Sequence, residues 1–142
     1  MNATKVLLPV DGSDFTKHML AWLAAHDEML DAQTRYSVLT VVPELPRHAG
    51  FFELGNLKSY YESRAEEVLQ PVRAYIAQKG WKASFEHRVG VPAEVIASVA
   101  TEGDFDLIVL GSHGHSALAN LALGSVATGV LARCKTPVLL VR

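Results

Sequence analysis

The sequence lacks the features that hold small secreted, membrane or nucleic-acid-binding proteins together. Cys134 is the only cysteine among 142 residues, so the chain cannot form an internal disulfide, and a lone thiol fits a reducing compartment. The 13 Lys and Arg residues against 15 Asp and Glu residues give a formal net charge of −2, without the basic excess typical of nucleic-acid-binding proteins. Its hydrophobic runs are far shorter than the roughly 20 residues of a membrane-spanning helix. These absences predict a cytoplasmic protein with no nucleic-acid partner and no membrane insertion.

The hydrophobic residues, 49% of the chain, follow two alternating spacing patterns. Short runs rich in Val, Ile and Leu predict strands at residues 6–10, 36–42, 105–110 and 136–141, and a weaker, more polar run at residues 83–89 predicts another, which gives five strands in all. Between them, apolar residues recur at helical spacing and predict four helices, starting near residues 14, 57, 92 and 125. Strands that alternate with helices predict one α/β domain over residues 1–142, with a parallel sheet covered by helices on both faces. The polar composition of the third strand predicts an edge position.

Two segments follow predicted strands at the edge where doubly wound sheets bind ligands. Residues 11–13 (Asp-Gly-Ser) follow the first strand, and residues 111–114 (Gly-Ser-His-Gly) follow the fourth. The second segment continues to Gly124 and Ser125 at the start of the last helix, which gives the pattern G-x2-G-x9-G-S. Glycines let the backbone approach a ligand closely, and the N–H groups at a helix N-terminus attract negative charge. This segment therefore predicts a phosphate site.

Other chemistry for these residues is less well supported by the sequence. His113 and His115 could be metal ligands, but zinc sites use three or four ligands and no third is evident nearby. Asp11 could act as a catalytic base, but no nucleophile or second base accompanies it, so a hydrogen bond to a ligand is the expected role. Cys134 is expected to be a packing residue. No catalytic residue and no metal ligand is therefore predicted.

Three segments resemble the universal stress protein family, and the resemblance extends over the whole chain. They are Val6-Leu7-Leu8-Pro9-Val10-Asp11-Gly12-Ser13, the G-x2-G-x9-G-S pattern from Gly111 to Ser125, and Thr136-Pro137-Val138-Leu139-Leu140-Val141. In that family the spaced glycine motif marks the branch that binds ATP. The resemblance implies a three-layer α/β sandwich with strand order 3-2-1-4-5, similar to the Rossmann-like fold of the adenine nucleotide α hydrolases.

The resemblance also implies which residues hold ATP, ADP or AMP, with or without Mg²⁺. The adenine pocket would be lined by Pro9, Val10 and Val41, with Asp11 on the adenine or ribose side and Leu110 and Gly111 near the ribose. The phosphates would be surrounded by Ser112, His113, Gly114, Gly124, Ser125 and Val126. The spacer departs from the family pattern, since basic residues or glycine are often found where this chain has His115, Ala117 and Asn120. Phosphate charge would then rest on backbone N–H groups, Ser125 and protonated histidine, which predicts weaker affinity or AMP-like ligands.

The expected function is that of a regulatory, nucleotide-binding stress protein that holds its ligand between strands 1 and 4. The resemblance implies a homodimer that forms through the last strand, residues 137–141, and an apolar edge strand invites such pairing. A regulatory protein partner of unknown identity is also expected. Two alternatives stay open. The protein could be a slow ATP-hydrolysing enzyme, or a protein-interaction module that works without nucleotide through its dimer surface or the loop at residues 43–55.

Overall fold

The computed structural model describes residues 3–46, 54–113 and 123–142. Within these ranges, strands and helices alternate along the chain as the hydrophobic spacing predicted. The elements are β1 (Lys5–Pro9), α1 (Asp14–Ala25), a 3-10 helix (Asp27–Met29), β2 (Arg35–Val42), α2 (Leu54–Lys79), β3 (Lys82–Val89), α3 (Pro92–Glu102), β4 (Leu107–Gly111), α4 (Ser125–Arg133) and β5 (Val138–Val141).

The five strands form a parallel sheet in the order β3-β2-β1-β4-β5. β1 lies in the middle, where Leu7 is opposite both Ser37 of β2 and Ile108 of β4. The chain first runs outward from β1 to β3 and then crosses back to β4, so the strand order reverses beside β1. β3 is an edge strand, and most of its side chains are exposed. The predicted strand order and the predicted edge position of β3 are therefore confirmed.

The sheet is covered on both faces by hydrophobic clusters. Val6 and Leu8 belong to the cluster that includes α1 and α2, whereas Leu7 belongs to the cluster that includes α3 and α4. This alternation follows from the two-residue period of a strand. All three side chains have no exposed surface. Burial on both faces explains why β1 is a continuous apolar run rather than an alternating one. Cys134 packs, partly buried, against the second cluster, as expected for a packing residue.

Some element ends differ from the predicted positions by a few residues. α2 begins at Leu54, three residues before the predicted start near residue 57. β4 begins at residue 107 rather than 105, because Asp104 has a φ of 51° and the chain is still turning there. β5 begins at residue 138 rather than 136, directly after Pro137, which has no N–H to donate to a ladder. The end of a helix or strand depends on individual backbone hydrogen bonds, and the spacing of apolar residues does not report where these bonds stop.

Parts of two predicted segments lie outside the described residues, namely residues 47–53 of the loop after β2 and residues 114–122 of the glycine motif. In the part of the chain that is described, every helix is too short or too polar to span a bilayer. The two ends of the glycine motif, at residues 111–113 and 123–125, are described, and they position the site.

Candidate functional site

A cavity of about 620 Å³ opens at the edge of the sheet where β1, β2 and β4 end. Its size is within the range of small-molecule sites. It lies beside β1, where the strand order reverses, which is the position at which doubly wound sheets bind ligands. Its inner wall is apolar, since Val10, Leu39 and Leu110 line it and are almost completely buried. The cavity can therefore enclose a flat apolar group such as a purine.

The loop after β1 is held in shape by the carboxylate of Asp11. Its Oδ1 accepts hydrogen bonds from the N–H of Ser13 and from the hydroxyl of Thr16, both at 2.9 Å. The Thr16 hydroxyl oxygen also accepts from the N–H of Asp11 at 3.1 Å. Gly12 has a φ of 78°, in the left-handed region that favours glycine. The loop thus holds Asp11 in the cavity wall, with one of its carboxylate oxygens already engaged in the turn.

The N-terminus of α4 forms another wall of the cavity. The N–H of Gly124 donates to the carbonyl of Ser112 at 2.6 Å, which ties the start of α4 to the end of β4. The first intrahelical bond runs from the N–H of Thr128 to the carbonyl of Gly124 at 3.1 Å. The N–H groups of residues 125–127 consequently have no acceptor within the helix, and no other described residue accepts from them. Together with the hydroxyl of the exposed Ser125, they can bind an anion.

The end of β4 contributes a serine and a histidine. Ser112 is 2% exposed, and its N–H donates to the carbonyl of Val141 at 2.9 Å. Its hydroxyl lies 3.0 Å from Nδ1 of His113, and the ring of His113 lies 5.3 Å from that of Phe15. These contacts connect the cavity wall to β5 on one side and to α1 on the other.

The structure brings together every predicted contact residue that it describes. The cavity is lined by Pro9, Val10, Asp11, Val41, Leu110, Gly111, Ser112, His113, Gly124, Ser125 and Val126. Gly114 lies outside the described residues. The cavity shows that these residues share one site, while their contact with a nucleotide stays a prediction.

The cavity is also lined by residues outside the predicted set. They are Gly12, Thr16, Met19, Leu39, Thr40, Val42, Pro43, Arg64, Glu67, Val68, Pro92, Ile96 and Ala127. Neighbours of assigned residues, such as Thr40 and Ala127, could have been found by extending each strand or helix end by one position. Arg64 and Glu67 could not, because on the sequence they belong to a charged, solvent-facing stretch of α2. Only the packing of α2 brings them to the cavity.

The described residues offer no cluster of protein ligands for a metal ion. Among them, no group of three or more His, Cys, Asp or Glu side chains could hold one. His115, which the sequence placed beside His113, is outside the described residues. Mg²⁺ bound together with a nucleotide takes most of its ligands from phosphate and water, so a nucleotide site does not need such a cluster.

The fold and the cavity define a class of protein: a doubly wound α/β protein with an apolar, ligand-sized cavity where its strand order reverses. Within that class, the chain belongs to the universal stress protein family, whose family model matches residues 2–142. The family resemblance drawn from the first strand, the glycine motif and the last strand is therefore confirmed.

Individual relatives agree with this assignment. A universal stress protein of Thermus aquaticus is 37% identical, in an alignment that covers 96% of this chain and 97% of that protein. Universal stress protein MJ0577 of Methanocaldococcus jannaschii is 29% identical, with 97% of this chain and 94% of the relative covered. The solved structure of MJ0577 superimposes with a TM-score of 0.83 at 28% identity and covers 99% of this chain and 96% of that one. The universal stress protein UspA of Lactobacillus plantarum shares the fold, with a TM-score of 0.78 at 21% identity over 100% of this chain and 99% of that one.

Proposed function

We propose that this protein binds an adenine nucleotide in the cavity beside β1 and acts as a cytoplasmic regulatory protein in a stress response. The observation that carries the proposal is the convergence of three strand ends and the N-terminus of α4 on one cavity of about 620 Å³. Solved universal stress proteins of similar fold include a complex with cAMP, one from Archaeoglobus fulgidus with dAMP and one from Arabidopsis thaliana with AMP. They are 24%, 21% and 14% identical to this chain, respectively, so they share its fold and indicate which ligand class to test first.

The two halves of the cavity suit the two halves of a nucleotide. Pro9, Val10 and Val41 supply an apolar surface for the adenine, and Asp11 is placed to accept a hydrogen bond from the base or the ribose. The N-terminus of α4 supplies N–H donors for phosphate on the other side of β1. ATP, ADP and AMP are the candidate ligands, and Mg²⁺ would accompany ATP through its phosphates.

The first experiment asks whether the protein carries or binds a nucleotide. Ligand released from freshly purified protein is identified by mass spectrometry, and thermal unfolding is followed with AMP, ADP, ATP plus Mg²⁺, and GTP. A ligand at 100 times its Kd stabilises the folded state by about 2.7 kcal/mol, which raises the Tm by several degrees in a chain of this size. A folded protein that releases no nucleotide and shows no shift with any adenine nucleotide would refute the proposal.

A matched pair of serine variants tests the orientation of the ligand. Ser125→Ala removes the hydroxyl at the start of α4, whereas Ser98→Ala removes an exposed hydroxyl on α3 that bonds Glu102 at 3.1 Å. Ser125→Ala should lower the affinity for ATP severalfold and leave the affinity for adenosine unchanged. Ser98→Ala should change neither affinity. Equal losses for ATP and adenosine would place the phosphates elsewhere.

The same samples separate the two alternative functions. Phosphate release from ATP clearly above that of the Asp11→Ala and Ser125→Ala variants would indicate a slow ATPase. Protein partners captured equally well with and without nucleotide would indicate an interaction module.

We also propose that residues 1–142 form one domain that pairs with a second copy through β5. β5 is an edge strand of four residues, and three of its side chains are only partly buried. The carbonyl of Pro137 accepts from the N–H of Ile108 in β4, and that of Val141 accepts from the N–H of Ser112, the residue after β4. The alternation along a strand therefore directs the N–H of Leu140 to the outer edge. Such an edge is a template for pairing with another strand.

Light scattering of two Leu140 variants tests this edge. Leu140→Pro removes the outward N–H, whereas Leu140→Ala shortens the same side chain and keeps the N–H. The wild type and Leu140→Ala should be dimers and Leu140→Pro a monomer. If both variants remain dimeric, the protein pairs through another surface.

A further inference from the structure

Two charged side chains of α2 lie at the cavity, in addition to the predicted site residues. Nη1 of Arg64 donates to Oε2 of Glu67 at 3.2 Å, and both residues line the cavity. We call these two residues the α2 pair. Their side chains are 56% and 63% exposed, so the pair lies at the mouth rather than in the interior.

The position of the α2 pair follows from how α2 packs on the loop after β1. Val68 touches that loop, since its Cγ2 lies 3.4 Å from where a Cβ on Gly12 would be. Arg64 is one helical turn before Val68 and therefore lies on the same face of the helix. α2 starts at the sheet edge that carries the cavity and runs back along the sheet, so Arg64 is nearer to the mouth than Val68 is.

The charges on the cavity wall make the position of Arg64 significant. Among the described residues that line the cavity, Arg64 is the one Lys or Arg, and it is accompanied by the carboxylates of Asp11 and Glu67. Counting only Asp, Glu, Lys and Arg, the described lining carries one positive and two negative side chains, a formal charge of −1. The spacer at residues 115–123 contains no Lys or Arg either. Arg64 is thus the one Lys or Arg side chain that the described part of this wall offers to an anionic ligand.

We propose that Arg64 binds the anionic part of the nucleotide and that Glu67 competes with the nucleotide for the Arg64 guanidinium. This inference rests on the proposed function of the cavity. A guanidinium has five N–H donors in a fixed plane and matches phosphate oxygens well. Exposed ion pairs such as the α2 pair are weak, so a phosphate can replace Glu67 as the partner of Arg64. In the free protein, Glu67 keeps the guanidinium at the mouth.

The same helix offers a matched control for both charges. Glu66 and Arg73 form an ion pair with two hydrogen bonds of 3.1 Å each. Their side chains are also exposed, at 57% and 43%, but neither residue lines the cavity. Arg73 instead lies over the ring of Phe85 on β3. Equivalent substitutions in the two pairs change the net charge equally and differ in distance from the cavity.

The experiment measures the affinities of ATP, AMP and adenosine at low ionic strength by titration calorimetry. Arg64→Gln should lower the affinity for ATP about three- to tenfold and the affinity for AMP by less, because the effect grows with ligand charge. The affinity for adenosine should stay unchanged. Arg64→Glu should weaken ATP further. Glu67→Gln should tighten ATP about two- to threefold, since it removes both a competitor and a negative charge. Arg73→Gln and Glu66→Gln should match the wild type, and added salt should reduce the Arg64 effect.

The outcomes separate this inference from the proposed function. If ATP binds the wild type but Arg64→Gln behaves like Arg73→Gln, the inference is wrong and the proposed function stands. An equal loss of ATP and adenosine in Arg64→Gln also refutes the inference. Arg64→Lys keeps the charge and should retain most of the ATP affinity, so an equally large loss in that variant contradicts an electrostatic role. If the wild type binds no nucleotide, both proposals fail together.

Discussion

The contact between α3 and α4 behind the cavity is tight enough to test with one methyl group. A Cβ on Gly129 of α4 would lie 2.5 Å from the Cβ of Ala93 on α3. Carbon atoms normally pack at about 3.5–4.0 Å, so Gly129→Ala has to separate the helices by about 1–1.5 Å. Ala93 is only 8% exposed and is fixed to the helix backbone, so it cannot move aside as a long side chain would.

The sign of the change in stability distinguishes this steric conflict from ordinary helix propensity. Inserting a methyl group into a packed contact costs about 2–3 kcal/mol when the overlap is this large. Alanine stabilises a helix interior by about 1 kcal/mol relative to glycine. We therefore expect Gly129→Ala to lower the free energy of unfolding by about 1–2 kcal/mol, and the Tm by about 3–8 °C.

Urea unfolding of Gly129→Ala, Ala93→Gly and the double variant measures this effect. In the double variant the methyl on Gly129 replaces the one lost from Ala93, so we expect a favourable coupling of about 1–2 kcal/mol. Gly129 lies about one turn after Ser125, so the single variant should also shift the N-terminus of α4 and weaken nucleotide binding. If Gly129→Ala instead stabilises the protein, and the effects of Gly129→Ala and Ala93→Gly on the free energy of unfolding are additive, Gly129 and Ala93 do not pack this closely.

Four further substitutions test the loop after β1 and the buried tyrosine. Asp11→Ala should lower the free energy of unfolding in urea by about 1–2 kcal/mol, because the Thr16 hydroxyl loses its acceptor at 2.9 Å. Asp11→Asn keeps an acceptor oxygen and should lower it less. Equal losses in the two variants would contradict the role of Asp11 as acceptor in this loop. Gly12→Ala should cost about 1–2 kcal/mol in the same assay, because its φ is 78°, and an unchanged stability would argue against that turn. Burial, followed by the negative charge of Asp27, raises the pKa of Tyr36 above its ordinary value of 10.0. As the pH rises, the unfolded chain therefore loses the Tyr36 proton before the folded protein does. The contribution of Tyr36 to the free energy of unfolding is fully present below pH 10 and is lost as the pH rises further. Tyr36→Phe should make that decline shallower, and an unchanged slope in alkaline unfolding curves would count against the shift.

Local patterns were sufficient for most of the fold. The apolar run at residues 6–10 predicted a strand, and the alternation of strands and helices predicted a sheet covered on both faces. β1 is buried on both faces because it lies in the middle of that sheet. Pro92 predicted the start of α3, where its fixed φ suits the first turn and its missing N–H has no partner to lose. The strand order itself came from the family resemblance, since alternation of strands and helices allows several orders.

The candidate site was predictable where its residues are adjacent to strand ends. Val41 and Leu110, which the family resemblance implied, lie near the carboxyl ends of β2 and β4, and parallel strands bring these ends to one edge of the sheet. Ser125 lines the same cavity as the first residue of α4. The predicted role of Gly114 concerns a residue outside the described ranges. Thr16 was missed because its hydrogen bond to Asp11 forms across a turn whose shape depends on Gly12.

The sequence by itself determined three things: the class of fold, the family, and the edge of the sheet at which the candidate site lies. It could do so because each of these depends on residues that are close along the chain, such as an apolar period, a strand end or a spaced glycine pair. The tertiary structure alone decided that Arg64 and Glu67 lie at the cavity mouth and that Gly129 must be small. Both facts depend on how one helix packs against a distant part of the chain, and side-chain type does not encode that contact.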